Sequence, residues 1–163
     1  MLLFSEFSKL MKEEHNKRQL YISVKPDKRF ARALQNIVET FNVPKPHDLT
    51  KMHCTLIYSK KPVIWPVADC EAQYSASFEK FHVFHSRDGS NVLVAKLASS
   101  DLQRRHNELM KSTDASYDFP AYLPHVTISY DIGDFDIKTI NTTMIPPVVF
   151  SGEMCESLDE EEE

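Results

Sequence analysis

Two short segments, Met52-His-Cys-Thr-Leu-Ile-Tyr58 and Pro124-His-Val-Thr-Ile-Ser-Tyr130, decide how this chain folds. Both read His, apolar, Thr, apolar, and both end in Tyr at the same offset. Successive side chains on a strand point to opposite faces, so a His and a Thr two apart share one face. Each segment therefore presents an imidazole beside a hydroxyl. Cys54 and Leu56, or Val126 and Ile128, face a core. Two imidazoles converging on one site supply an acid and a base at neutral pH, the chemistry of phosphodiester cleavage without a metal.

His53 and His125 stand 72 residues apart, and a shift of 72 aligns more than the motifs. Leu20-Tyr-Ile-Ser-Val24 falls on Val92-Leu-Val-Ala-Lys96, and Phe30, Arg32 and Ile37 fall on Leu102, Arg104 and Leu109. An ungapped internal repeat is a statement about the fold. Each half is expected to hold a strand, a helix and a His-x-Thr strand.

Along the chain, Leu20 to Val24 alternates as a strand, with Tyr21 and Ser23 on the face away from the core. Asp27 is placed to cap a helix whose buried stripe is Phe30, Leu34, Ile37 and Phe41. Phe78 to His85 and Asn91 to Leu97 read as a hairpin turning at Asp88-Gly89. Ser100-x-x-Gln103 predicts a capping box for the second helix. Irregular chain from Thr113 to Leu123 leads to the second motif, and Val148 to Glu156 forms a last strand. Strands mixed with two helices indicate an α+β fold in one domain over residues 1–163, two similar lobes sharing a central cleft.

The chain's 163 residues, 42% hydrophobic with only 3 Gly, suit one soluble domain with a sizeable core. No window approaches the roughly 18 apolar residues needed to span a bilayer, so no membrane partner is expected. Phe4, Phe7, Leu10 and Met11 suit one face of a short helix over residues 1–18, and Glu6, Lys9, Lys12 and Glu13 interrupt any signal-peptide core. A cytoplasmic location is expected. The net charge of −5 resides in the tail: Asp159 and Glu160 to Glu163 carry five negatives and leave 19 basic and 19 acidic residues in the body. Residues 157–163 read as a disordered acidic end. A neutral body is not the footprint of a protein that tracks long nucleic acid. Cys54, Cys70 and Cys155 form no C-x-x-C pair and read as reduced, mostly buried thiols. His82 and His85 lie three apart on a strand and face opposite ways, and no cluster has zinc-ligand spacing. No metal or other cofactor is expected.

With its paired His-x-Thr strands in a duplicated α+β chain, the sequence resembles the two-histidine phosphoesterase superfamily over roughly residues 20 to 156. Within it, the chain looks like the phage phosphodiesterases that degrade bacterial cyclic-nucleotide alarm signals. The resemblance implies a cyclic di- or trinucleotide substrate with 3′–5′ linkages. His53 and His125 would divide the acid and base roles, with Thr55 and Thr127 bonding the non-bridging phosphate oxygens. Which histidine is the base stays open at this point. For base binding, Tyr21 has the cleft face of its strand, and Glu153 is a carboxylate on the last strand able to accept from a purine edge. Trp65, in Ile64-Trp-Pro66, and Tyr122, three residues before His125, are the aromatic side chains able to close over a ligand. Lys51, Lys60 and Lys61 flank the first motif. Two rival functions are an RNA-end enzyme acting on 2′,3′-cyclic phosphates or 2′–5′ linkages, and a sponge that binds cyclic nucleotides without cleaving them. A sponge has no use for two acid/base motifs.

Overall fold

The computed structural model describes residues 17–158. Its regular elements are strand β1 (Arg18–Pro26), helix α1 (Lys28–Thr40), strands β2 (Cys54–Val63), β3 (Gln73–His85) and β4 (Asn91–Ala98), helix α2 (Ser100–Thr113), and strands β5 (His125–Ser129) and β6 (Val148–Glu156). The strands close into a ring in the order β1-β2-β5-β4-β3-β6, with every neighbouring pair antiparallel. Shifting by 72 exchanges β1 with β4, β2 with β5 and β3 with β6, and that exchange maps the ring order onto itself. The repeat in the sequence is a pseudo-twofold axis in the fold.

The helix starts obey the same shift. Asp27 caps α1 by accepting from the Phe30 amide, and Ser99, 72 residues later, caps α2 by accepting from Leu102. The second cap is therefore Ser99, not the Ser100 that the capping-box pattern suggests. Helix α1 buries Phe30, Leu34, Ile37 and Val38, with Phe41 only partly covered, while α2 buries Leu102, His106 and Leu109. The hydrophobic core joins Leu20, Ile22 and Val24 of β1 and Cys54, Leu56, Val126 and Ile128 of the motif strands to Phe30, Leu34, Leu102 and Leu109 of the helices. The strand residues among these are the positions that the alternation assigned to the core.

Two register slips interrupt the alternation. Ser23 pairs with Thr55 while Ile22 pairs with Ile57, so Leu56 is an extra residue on β2. Ser23 pairs with Met154 while Lys25 pairs with Ser151, so β6 carries an extra residue beside Gly152, whose φ is +74°. Bulges of this kind re-aim every side chain beyond them. On β2 both Leu56 and Ile57 turn inward and Tyr58 returns to the face of Thr55. On β6, Glu153 turns inward, while Met154 and Glu156 turn out. Plain alternation along β6, with Val149, Ser151, Glu153 and Cys155 on one face and Val148, Phe150 and Met154 on the other, puts Glu153 and Met154 on the wrong faces.

Most of the helix expected over residues 1–18 lies outside the described residues, but Arg18 already belongs to β1. Of the disordered tail expected over residues 157–163, Ser157 and Leu158 are buried, and the rest lies outside the described residues. Of the cysteines only Cys54 is buried, and Cys70 is exposed. Among the described residues no helix is long and apolar enough to cross a membrane.

Helix α2 pins the β6 bulge. The Glu153 carboxylate, 4% exposed, accepts two bonds from the Arg105 guanidinium at 2.7 and 3.0 Å, one from Tyr74 Oη at 2.6 Å and one from the Asp69 amide. Burial pushes its pKa up, yet the bonds from Arg105 and Tyr74 outweigh that and hold the carboxyl below its ordinary value. Arg105→Ala is expected to cost about 3–5 kcal/mol in urea denaturation, because it strands a buried charge. Parental stability in that variant would free the bulge from any dependence on the pair.

Candidate active site

The two motif strands meet at one bridge, Cys54 opposite Val126. Continuing that antiparallel register sets His53 opposite Thr127 and Thr55 opposite His125. Each hydroxyl thus belongs with the histidine of the other motif, and four side chains from distant sequence form one diagonal set. Cys54 is sealed beneath them, and burial pushes its thiol up to about 11, so it stays protonated.

Both imidazoles are oriented in the same way. Nδ1 of His53 lies 2.9 Å from the Lys51 carbonyl, and Nδ1 of His125 lies 2.8 Å from that of Leu123. A carbonyl only accepts, so each Nδ1 carries the proton and each neutral ring keeps its lone pair on Nε2. Burial lowers the pKa of His125 first and foremost; the Leu123 carbonyl opposes this, and the nearby His53 charge adds to it.

A cleft of about 740 Å³ is walled by His53, Thr55 and Thr127 together with side chains from β1 and β6. Tyr21 lies on its wall, 5% exposed, its hydroxyl bonded to Thr55 Oγ1 at 2.8 Å and its ring edge-on to His53 and Tyr58. His125 lies on the same face of β5 as Thr127, toward β4 and β3. Cross-strand partners share a face, and the pairs Lys96–His125, Val94–Thr127, His82–Val94 and Phe84–Val92 carry His82 and Phe84 to the side of His125. The Phe84 ring sits 5.6 Å from that of His125 and 4.8 Å from that of His82.

The remaining sequence candidates lie elsewhere. Glu153 is not at the cleft, since the β6 bulge turns it inward to Arg105; Glu156 is the carboxylate on the wall. Tyr122 does not close over the cleft. It is 7% exposed, stacked on His106 at 4.2 Å, and donates to the Thr55 carbonyl at 2.6 Å, so it braces the motif strand from behind. Trp65 is a staple outside the cleft, its indole N–H donating to the Gln19 carbonyl and its ring covered by the Arg18 guanidinium at 4.1 Å. Lys51 does line the cleft, whereas Lys60 and Lys61 pair with Asp118 and Asp114 at the surface.

Sequence reading missed seven wall residues: Ser23, Lys25, His47, Tyr58, Tyr130, Met154 and Glu156. Tyr58 carried a signal, because it shares its motif offset with Tyr130. The two β6 residues were hidden by the bulge. His47 comes from the loop before the first motif, whose amide donates to the Ile128 carbonyl at 2.7 Å. Its ring stands edge-on to Tyr130, and its Nε2 is buried without a hydrogen-bond partner. Burial, and then the His53 charge, lower its pKa. Among the described residues no group of three or more His, Cys, Asp or Glu is placed to hold a metal ion.

Similarity to known proteins agrees with this architecture. In solved structures the fold matches LigT of E. coli complexed with phosphate, with TM-score 0.54 at 11% identity over 88% of this chain and 95% of that one. It also matches TT0787 of Thermus thermophilus, with TM-score 0.51 at 20% identity over 84% and 83%. At such identities the likeness is one of fold. Among curated proteins, the anti-CBASS protein Acb1 of Acinetobacter phage Ac42 is 39% identical over 127 residues, 78% of this chain and 80% of that protein. Its counterparts in Vibrio phage KVP40 and Enterobacteria phage T4 are 34% and 33% identical over 68% and 70% of this chain, and 72% and 73% of their own lengths. The family model described as anti-CBASS protein Acb1 matches residues 18–163. The chain belongs to the Acb1 family of anti-CBASS proteins.

Proposed function

We propose that this chain is a metal-independent phosphodiesterase that opens 3′–5′ linkages in cyclic di- and trinucleotides and so silences CBASS signalling. One observation carries the reading: two imidazoles, each with Nδ1 tied to a backbone carbonyl, belong to one diagonal set with two threonine hydroxyls. The His125 lone pair takes the proton of a ribose 2′ hydroxyl, because burial favours its neutral form. That oxygen attacks phosphorus. Thr55 and Thr127 bond the non-bridging oxygens as charge builds there. His53, protonated on both nitrogens, gives its Nε2 proton to the departing 5′ oxygen. The product is a 2′,3′-cyclic phosphate, which water opens with the two roles reversed. Each proton transfer contributes about 10²–10⁴ in rate.

Tyr21, Tyr58 and Glu156 make the cleft's end for one base, with the carboxylate accepting from an amino edge. The second base has Phe84, 36% exposed, beside His125. Stacking on such a ring is worth about 1–3 kcal/mol.

A panel of cyclic dinucleotides, linear oligonucleotides and 2′,3′-cyclic mononucleotides, followed by mass spectrometry, is expected to show cleavage of the cyclic ligands in excess EDTA. Preference for RNA ends would favour the rival enzyme, and binding without turnover would favour a sponge. Restoration of EDTA-abolished activity by magnesium or manganese would defeat the mechanism.

His53→Ala and His125→Ala should each remove most turnover, with the double variant little worse than either single one. A ligand bearing 2′-O-methyl groups should bind and resist cleavage, and cleavage of it at the parental rate would exclude the 2′ hydroxyl as nucleophile.

The acidic limb of kcat/KM against pH reports the base of the free enzyme. Because the His125 pKa is lowered, its neutral form persists in more acidic solution, and the limb should lie below pH 6.5. Phe84→Ala removes apolar cover and should move the limb upward. A limb unmoved by that change, and lost in His53→Ala alone, would exchange the two roles.

A further inference from the structure

The cleft is electrically polarised along β1, and its cationic end is larger than one scissile phosphate requires. Pairing across the β1–β6 ladder sets Glu156 beside Tyr21, Met154 beside Ser23 and Ser151 beside Lys25. Ser23 also pairs with Thr55. Thr55 therefore stands level with the middle of this face, with the carboxylate at one end and Lys25 at the other. At about 3.3 Å per residue, Lys25 sits about 7 Å beyond Ser23, a step comparable to that between successive phosphates of a nucleotide chain. Lys51 reaches the same cleft from the turn that precedes His53.

Among the described residues neither lysine forms an ion pair within 4.0 Å, and the Asp48 carboxylate is the acidic group whose charge Lys51 feels. The carboxylates that adjoin them in sequence are engaged by backbone amides and a hydroxyl: Asp27 accepts from the amides of Phe30 and Val149, and Asp48 accepts from the amide and hydroxyl of Thr50. Beyond Lys25 the surface continues into a depression of about 410 Å³ that shares this lysine and adds Lys28 and Arg32, with no acidic side chain on its wall. Basic side chains in the first turn of α1 oppose the helix dipole, and a neighbouring anion offsets that cost. In a protein whose body has no net charge, this is a local field.

We propose that Lys25 and Lys51 form a subsite for a second, non-scissile phosphate, which makes a ligand with several phosphodiesters the preferred class. The inference rests on the phosphodiesterase reading and adds a determinant of specificity to it. A phosphate at the opposite end would meet Glu156, so the ligand enters in one direction, with a base against Tyr21 and its second phosphate between the lysines. Ligands with a single phosphodiester use only the Thr55 and Thr127 hydroxyls.

The test compares equilibrium binding of a 2′-O-methylated cyclic dinucleotide, with two phosphates, and of 2′-O-methylated ApA, with one. Neither needs turnover, so the result stands apart from the cleavage panel: failure there removes the enzyme, and failure here removes only the subsite. Lys25→Gln or Lys51→Gln is expected to lower the ratio of the two affinities about fivefold, and the pair together about twentyfold. The Lys→Arg variants should keep most of the ratio, and 0.5 M KCl should compress it in the parent. An unchanged ratio in both Gln variants, or equal losses for both ligands, would overturn the subsite. Thermal melting of each variant separates misfolding from lost contact.

Discussion

Two adjacent residues of one helix govern the shape of this cleft. Arg105 holds the carboxylate of Glu153 in the β6 bulge, and His106 Nδ1 lies 2.7 Å from the carbonyl of Leu56, the extra residue of β2. A bulge frees backbone groups and invites the strand to slip back into register. Here each freed feature has a partner on α2. The bulges in turn decide which side chains reach the cleft: Tyr58 beyond the first, Met154 and Glu156 beyond the second. With either bulge straightened, a one-residue slip would send those side chains to the opposite face. The buried ion pair is thus better understood as a specifier of register than as a source of stability.

The same constraint explains how much of the molecule was legible in the sequence. Wherever strands keep their period of two, alternation assigns the faces correctly: Leu20, Ile22 and Val24 are inside, and so are Cys54, Leu56, Val126 and Ile128. The repeat of 72 residues carried the rest of the topology, since it is a property of the whole chain. It even encodes the Ser99 cap, which local capping-box chemistry placed one residue late. Glu153 and Met154 were misread because a glycine at positive φ breaks the period, and one glycine in a strand does not announce whether it does so. Trp65, which the sequence allows as either a loop staple or a cover for a base, is the staple, and Tyr122 does not close over the cleft. Loop aromatics near a motif look alike in sequence, and only tertiary contacts decide that one staples β1 while the other braces β2.

Symmetry of fold has not become symmetry of site. Tyr21 on β1 bonds Thr55, but the residue 72 positions later is Leu93, which offers no hydroxyl to Thr127. The side built by β6, β1 and β2 gives a polar cleft with a carboxylate at one end and lysines at the other. The side built by β3, β4 and β5 gives an apolar ring, Phe84, beside a histidine whose neutral form burial favours. Two equivalent histidines would compete for the same proton state. Their surroundings are unequal, and burial favours the neutral form of His125, which suits the proposed division of acid and base roles.

The remaining constraint is the distance between the motifs. One bridge between Cys54 and Val126 is a slender joint for a site whose parts must hold position within a fraction of an ångström. The loop ahead of the first motif reinforces it. Ser129 Oγ donates to the carbonyls of Pro44 and Lys45, Pro46 bridges to Ser129, and the His47 amide bonds Ile128. The approach to His53 is thereby tied to the strand that carries His125. Holding that loop against β5 leaves His47 Nε2 buried without a partner, a defect worth about 1–3 kcal/mol. Protonation of that ring would place a cation beside His53, and burial of the ring opposes it. The loop therefore braces the two motifs while burial favours the neutral form of its own histidine beside His53.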